Sequence, residues 1–121
     1  MKKADRLLES LHELLKEESE IEEVINSLPV GYISVKVISG HTYTYRQWRD
    51  GDKIVSQYVP ESLLNSVKRK IAIRKENEAV LKTVRKELRS VKGKVLRAGL
   101  LKEEEIQELK EKARQEVAAN R

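Results

Sequence analysis

The chain has no cysteine, no phenylalanine, one methionine, one tryptophan and two prolines in 121 residues. Without cysteine there is no disulfide, no thiolate nucleophile and no Cys-ligated zinc. A reducing compartment suits such a chain, and a cytoplasmic protein is expected. Aromatics amount to 4%, Trp48 and the tyrosines, so a core must be built from Leu, Val and Ile. No apolar run approaches the ~20 residues of a membrane span. The opening Met1-Lys2-Lys3-Ala4-Asp5-Arg6 leads into an amphipathic pattern and not into the apolar core of an export signal, so no membrane association is expected.

Catalytic patterns are scarce too. Gly31, Gly40, Gly51, Gly93 and Gly99 are scattered and form no phosphate-cradling loop. His12 falls on the polar side of a helical pattern and His41 in a hairpin signal, with no zinc-type spacing between them. Glu103-Glu104-Glu105 stands where a helix begins, and acids there complement the helix dipole. The expectation is a binding or assembly protein: no enzyme, no metal and no cofactor.

Charge is abundant, at 37% of residues. The net +5 is unevenly spread: residues 1–26 sum to −4, 27–60 to +2, 61–99 to +8 and 100–121 to −1. Leu7, Leu11, Leu14, Glu18, Ile21, Ile25 and Leu28 alternate at steps of four and three, predicting a helix over about 3–27 that Pro29 stops. Glu18 interrupts this seam. A solvated break in packing is favoured there over a buried polar group that sets register.

Residues 30–59 are rich in strand formers, with turn signals at Ser39-Gly40-His41 and Asp50-Gly51. They predict a three-stranded β-meander over about 31–59, with strands near 31–38, 42–49 and 53–59. A three-residue first loop pairs Ile38 with Thr42 and Val35 with Tyr45. An Asp50-Gly51 second loop pairs Gln47 with Ile54 and Tyr43 with Tyr58. This register gathers Ile33, Val35, Val37, Tyr43, Tyr45, Ile54 and Tyr58 on one face, expected to be buried. It leaves Lys36, Thr44, Arg46, Trp48, Lys53, Val55 and Gln57 on the other.

A long helix follows over about 61–97, ending at Gly99, and a last one over about 102–118. The long helix has the seam Leu64, Val67, Ile71, Arg74, Glu78, Leu81, Val84, Leu88, Val91 and Val95. Its middle is polar, so packing is expected at its two ends. The whole reads as one α+β domain: a three-stranded antiparallel β-meander between long amphipathic, coiled-coil-like helices. The extent of apolar seam makes a homo-oligomer the expected state.

Two constellations are candidates for binding nucleic acid. One is the polar sheet face: Lys36, Arg46, Lys53 and Gln57 around Trp48, with Arg49 at the turn. These residue types bond phosphates and base edges. The other is an acid-free stripe on the long helix, with Lys68, Lys75, Lys82, Lys86 and Arg89 interleaved with Ala72, Ala79 and Gly93. Clustered cations suit a phosphate backbone. Pairing of the stripe with the acidic first helix is the commoner arrangement and is favoured over phosphate binding. Trp48, if exposed, fits a protein partner equally well.

Gly31-Tyr32-Ile33, the run Tyr43-Thr44-Tyr45-Arg46-Gln47-Trp48-Arg49-Asp50-Gly51-Asp52-Lys53 and Gln57-Tyr58-Val59-Pro60 together resemble an uncharacterised family of small prokaryotic and mobile-element proteins. In that family a glycine-led meander precedes a long helix, and the resemblance implies no activity. The strand order is also similar to the arm-binding domains of tyrosine recombinases and to plant AP2-type domains, which read DNA with an exposed sheet face. By that analogy Lys36, Arg46, Trp48, Lys53 and Gln57 are the reading positions. The leading expectation is therefore a nucleic-acid-binding accessory protein, for DNA or RNA. The rival is a coiled-coil-like assembly protein, one version being a mobile-element inhibitor of a host protein, with Trp48 in a protein interface.

Overall fold

A computed structural model describes residues 2–120. The elements run α1 (Lys2–Asn26), β1 (Tyr32–Ile38), β2 (His41–Asp50), β3 (Lys53–Tyr58), α2 (Glu61–Arg97) and α3 (Glu103–Ala119). The fold is α+β, with one antiparallel sheet ordered β1-β2-β3 between helices. The chain divides into two compact units. One takes in the residues up to Ile25 and those from Asn77 onward; the other is Asn26–Glu76.

The first unit is a helical bundle. Leu11, Leu14 and Leu15 of α1, Val84, Leu88 and Val95 of α2, and Ile106 and Ala113 of α3 form one buried cluster. Leu7, Leu8, Ile21, Val91, Leu96, Leu100, Leu101 and Leu109 pack around it. α1 and α3 bring the stripes that their spacing predicts, and α2 brings the C-terminal part of its seam.

The turn from α2 to α3 has local causes. Gly99 sits at φ +67°, and its N–H donates to the Leu96 carbonyl while Leu100 N–H donates to Val95. This pair of bonds is a Schellman end, which calls for a left-handed residue after the cap. Glu105 then accepts from Lys102 N–H at 3.0 Å, closing the start of α3.

Glu18 departs from expectation: it is 3% exposed and not a solvated break. Its Oε2 accepts from Arg85 Nε at 3.2 Å, and Arg85 Nη2 also reaches Glu22 Oε1 at 3.3 Å. Arg114 Nη2 adds a contact to Glu22 Oε2 at 3.7 Å. The buried Glu18 is thus matched by one cation of α2, and its neighbour Glu22 by cations of α2 and α3.

The second unit holds the sheet. Both hairpins turn on two residues, and both registers differ from the expected ones. Ser39 and Gly40 have φ +52° and +79°, the two positive values of a type I′ turn, so Ile38 pairs with His41 and Val35 with Thr44. Gly51 has φ +63° at the first central position of the second loop, as in a type II′ turn. Asp50 therefore pairs with Lys53 and Tyr45 with Tyr58. The first shift is a single residue, so it moves the side chains of β1 to the opposite face relative to β2. The second is a shift of two and leaves the relation between β2 and β3 as expected.

The expected buried face does not form. Val35 is 60% and Val37 70% exposed, Tyr58 54%, and Tyr43 and Tyr45 only half-buried. Among the described residues of this unit, the buried apolar side chains are Val59 and Ile71. Val59 N–H extends the ladder to the Thr44 carbonyl at 2.8 Å. Gly31 is required by contact: at φ +114°, a Cβ there would lie 2.1 Å from the Gln47 carbonyl oxygen. The polar stretch in the α2 seam, Arg74 to Glu78, straddles the boundary between the units. Arg74 Nη1 donates to the Leu28 carbonyl at 2.7 Å, tying α2 to the residues that follow α1.

Candidate nucleic-acid interface

The register decides which side chains share a surface. Arg46, Trp48, Lys53 and Gln57 lie on one face, together with Thr44, Val55, Ile33, Val35 and Val37. Lys36 and Arg49 lie on the other. The expected polar face is therefore split, and Lys36 leaves it because β1 is offset by one residue.

On the first face Arg46 is already engaged. Its guanidinium carbon lies 3.9 Å from the Trp48 ring centroid, Nη1 donates to the Val30 carbonyl at 2.6 Å, and Nη2 donates to Gln57 Oε1 at 3.1 Å. With these three partners the guanidinium joins β2, β3 and the segment before β1. Its fork is occupied, and so is the Gln57 oxygen. Trp48 is half-buried beneath it.

The second face collects every tyrosine of the chain: Tyr32, Tyr43, Tyr45 and Tyr58. Tyr58 meets Tyr45 edge-on at 5.9 Å between centroids and Tyr43 at 6.4 Å. Lys36 Nζ sits 5.0 Å above the Tyr45 ring. Gln47 Nε2 donates to Ser56 Oγ at 2.9 Å. Lys36, Arg49 and His41 are the ionisable groups here besides the tyrosines, and no strand position of this face is acidic. The alternation of Tyr43 and Tyr45 signals the shared side in the sequence; the company of Lys36 does not follow from it without the correct first turn.

The helical stripe is exposed. Lys82, Lys86 and Arg89 in the bundle unit, and Lys68 and Lys75 in the sheet unit, form no ion pair among the described residues. The favoured pairing of this stripe with α1 is not what forms. Arg85 takes that role, and Lys92 binds Glu103 at 2.5 Å. That bond holds the Glu103 carboxyl below the ordinary glutamate value. His12 Nδ1 donates to the Leu8 carbonyl at 2.7 Å, back-bonding within its own helix. Among the described residues, no group of three or more His, Asp or Glu is placed to hold a metal ion, and no helix is long and apolar enough to cross a membrane.

A family model described as a domain of unknown function, DUF6788, matches residues 5–69. The chain belongs to that family. No curated protein and no solved structure matches it. The DUF6788 segment takes in most of α1, the whole sheet and the start of α2. Both sheet faces and Lys68 lie inside it, while Lys75, Lys82, Lys86 and Arg89 lie beyond.

Proposed function

We propose that this DUF6788 protein is a nucleic-acid-binding accessory protein that meets the phosphate backbone with the cations of α2. The observation that carries the reading is selective pairing. Glu18, Glu22 and Glu103 find partners in Arg85, Arg114 and Lys92, and Lys82, Lys86 and Arg89 remain exposed and unpaired among the described residues. Unpaired clustered cations gain most from a polyanion, because binding releases condensed counterions. The similarity of the strand order to arm-binding domains points the same way.

The test is a titration of labelled duplex DNA, single-stranded DNA and RNA at two salt concentrations. Binding should weaken steeply with salt. Lys82→Glu and Lys86→Glu should lower affinity for all sequences alike, since phosphate contacts carry no base information, with circular dichroism unchanged. No measurable affinity for any of the three at low salt overturns the reading. The exposed Val35 and Val37 favour a second one, an assembly module, since apolar patches of this kind mark protein contacts. Self-association that persists at high salt, without affinity for nucleic acid, is its signature in light scattering.

A further inference from the structure

We infer that the tyrosine face of the sheet takes single-stranded nucleic acid, stacking bases on Tyr32 and Tyr58 while Lys36 and Arg49 meet the phosphates; this rests on the nucleic-acid reading above. Four observations converge. The face holds all the tyrosines of the chain, and Tyr32 and Tyr58 are 50% and 54% exposed. Tyr45 and Tyr43 pack edge-on against Tyr58, so the face presents a cluster of rings. The face carries cations at Lys36 and Arg49 and no strand carboxylate, so its charge complements a phosphodiester chain. Apolar Ile38 and Ile54 stand exposed at its hairpin ends, beside the turns.

The same observations separate a single strand from a duplex. Aromatic platforms bind bases through their flat faces, which a duplex keeps stacked on neighbouring pairs and a single strand offers. Groove reading needs free bidentate side chains. The best candidates here, Arg46 and Gln57, are on the opposite face and already bonded to each other. A protein partner is the rival occupant, since both faces expose aliphatic side chains; the cations Lys36 and Arg49 with no strand carboxylate beside them favour a polyanion here. The bases need not be specified: stacking tolerates any of them, so sequence preference should be weak.

The experiment uses the full chain and fluorescence anisotropy with labelled oligo(U), oligo(dT) and a random duplex, at two salt concentrations. Both single strands should bind more tightly than the duplex. Either sugar supports the inference, and the tighter of the two names the source. Tyr32→Ala and Tyr58→Ala should each weaken single-strand binding by roughly 5- to 150-fold with the salt slope unchanged, as expected for a lost base stack. Tyr32→Phe and Tyr58→Phe should restore it, because the ring is kept. Lys36→Gln and Arg49→Gln should each flatten the slope of log affinity against log salt by about 0.7. Val37→Thr, on the reverse face, should change neither. Duplex binding equal to or tighter than single-strand binding overturns the inference. So do tyrosine variants that bind like wild type while Lys82→Glu and Lys86→Glu weaken binding; the α2 reading then stands alone. No affinity for any probe at low salt overturns both.

Discussion

The helical unit and the sheet unit solve the problem of register in opposite ways. In the bundle, Leu11 and Val95 have no exposed surface, and the position of each helix follows from burying a stripe. In the sheet, both faces stay largely open: Tyr32, Val35, Val37, Ile38, Ile54 and Tyr58 are all at least half exposed. Burial cannot choose a strand register where no face is buried. The choice falls to backbone geometry instead, to Ser39-Gly40 and Gly51 at the turns and to Gly31 against Gln47. Within one chain, packing determines one half and local conformation the other.

That contrast is sharpest in substitutions that only remove surface. Leu11→Ala, at full burial, should cost about 2–5 kcal/mol. Val37→Thr, at 70% exposure, should stay within about 0.5 kcal/mol. Denaturant titrations of both variants make the comparison, and equal losses would mean that something covers the sheet. Gly31→Ala then tests the backbone side of the argument. The added methyl meets the Gln47 carbonyl at a position with φ +114°, and about 2–4 kcal/mol should be lost with no core residue touched. Near wild-type stability would show that this approach does not define the sheet.

In the bundle, Glu18 offers a finer test. Its Oε1 has no hydrogen-bond partner among the described residues, and neither has Ser19 Oγ. Glu18→Ala leaves a gap and removes the partner of Arg85, and should cost about 1–3 kcal/mol. Glu18→Leu should be markedly less damaging or even stabilising, because Arg85 is half exposed and keeps Glu22. A Leu variant as unstable as the Ala variant would show that the ion pair contributes net stability. Ser39→Asn acts in the opposite sense on the sheet. Asparagine suits the positive φ that serine holds at +52°, so a gain on the order of 0.5–1 kcal/mol is expected in thermal unfolding. A loss would mean that the first hairpin does not turn there.

The smallest effect concerns pH. Lys92 holds the Glu103 carboxyl below its ordinary value, so the contribution of this pair is present above the unfolded-state pKa and lost as pH falls through the folded-state one. The stability gap between wild type and Glu103→Gln should be largest near neutrality and close in acid. A gap that does not change with pH would assign the difference to something other than this carboxylate.

Much of the fold was legible in the sequence because it rests on periodicity. The 3.6-residue stripes placed all three helices, and the polar Arg74 and Glu78 marked where α2 passes from one unit to the other. Strand formers and glycines placed the three strands. Those signals are local, and the spacing of side chains along a helix or strand is a property of the backbone itself. The tertiary structure alone decided the rest. Whether Glu18 was solvated or paired depended on Arg85, 67 residues away along the chain. Whether the α2 stripe was consumed by α1 depended on which of its cations faced the bundle. The makeup of each sheet face depended on one residue of loop length. Counting apolar side chains favoured the register that segregated them, but segregation is enforced only when one face is buried. Here it is not, so the turn dihedrals placed Lys36 among the tyrosines and Arg46 against Trp48.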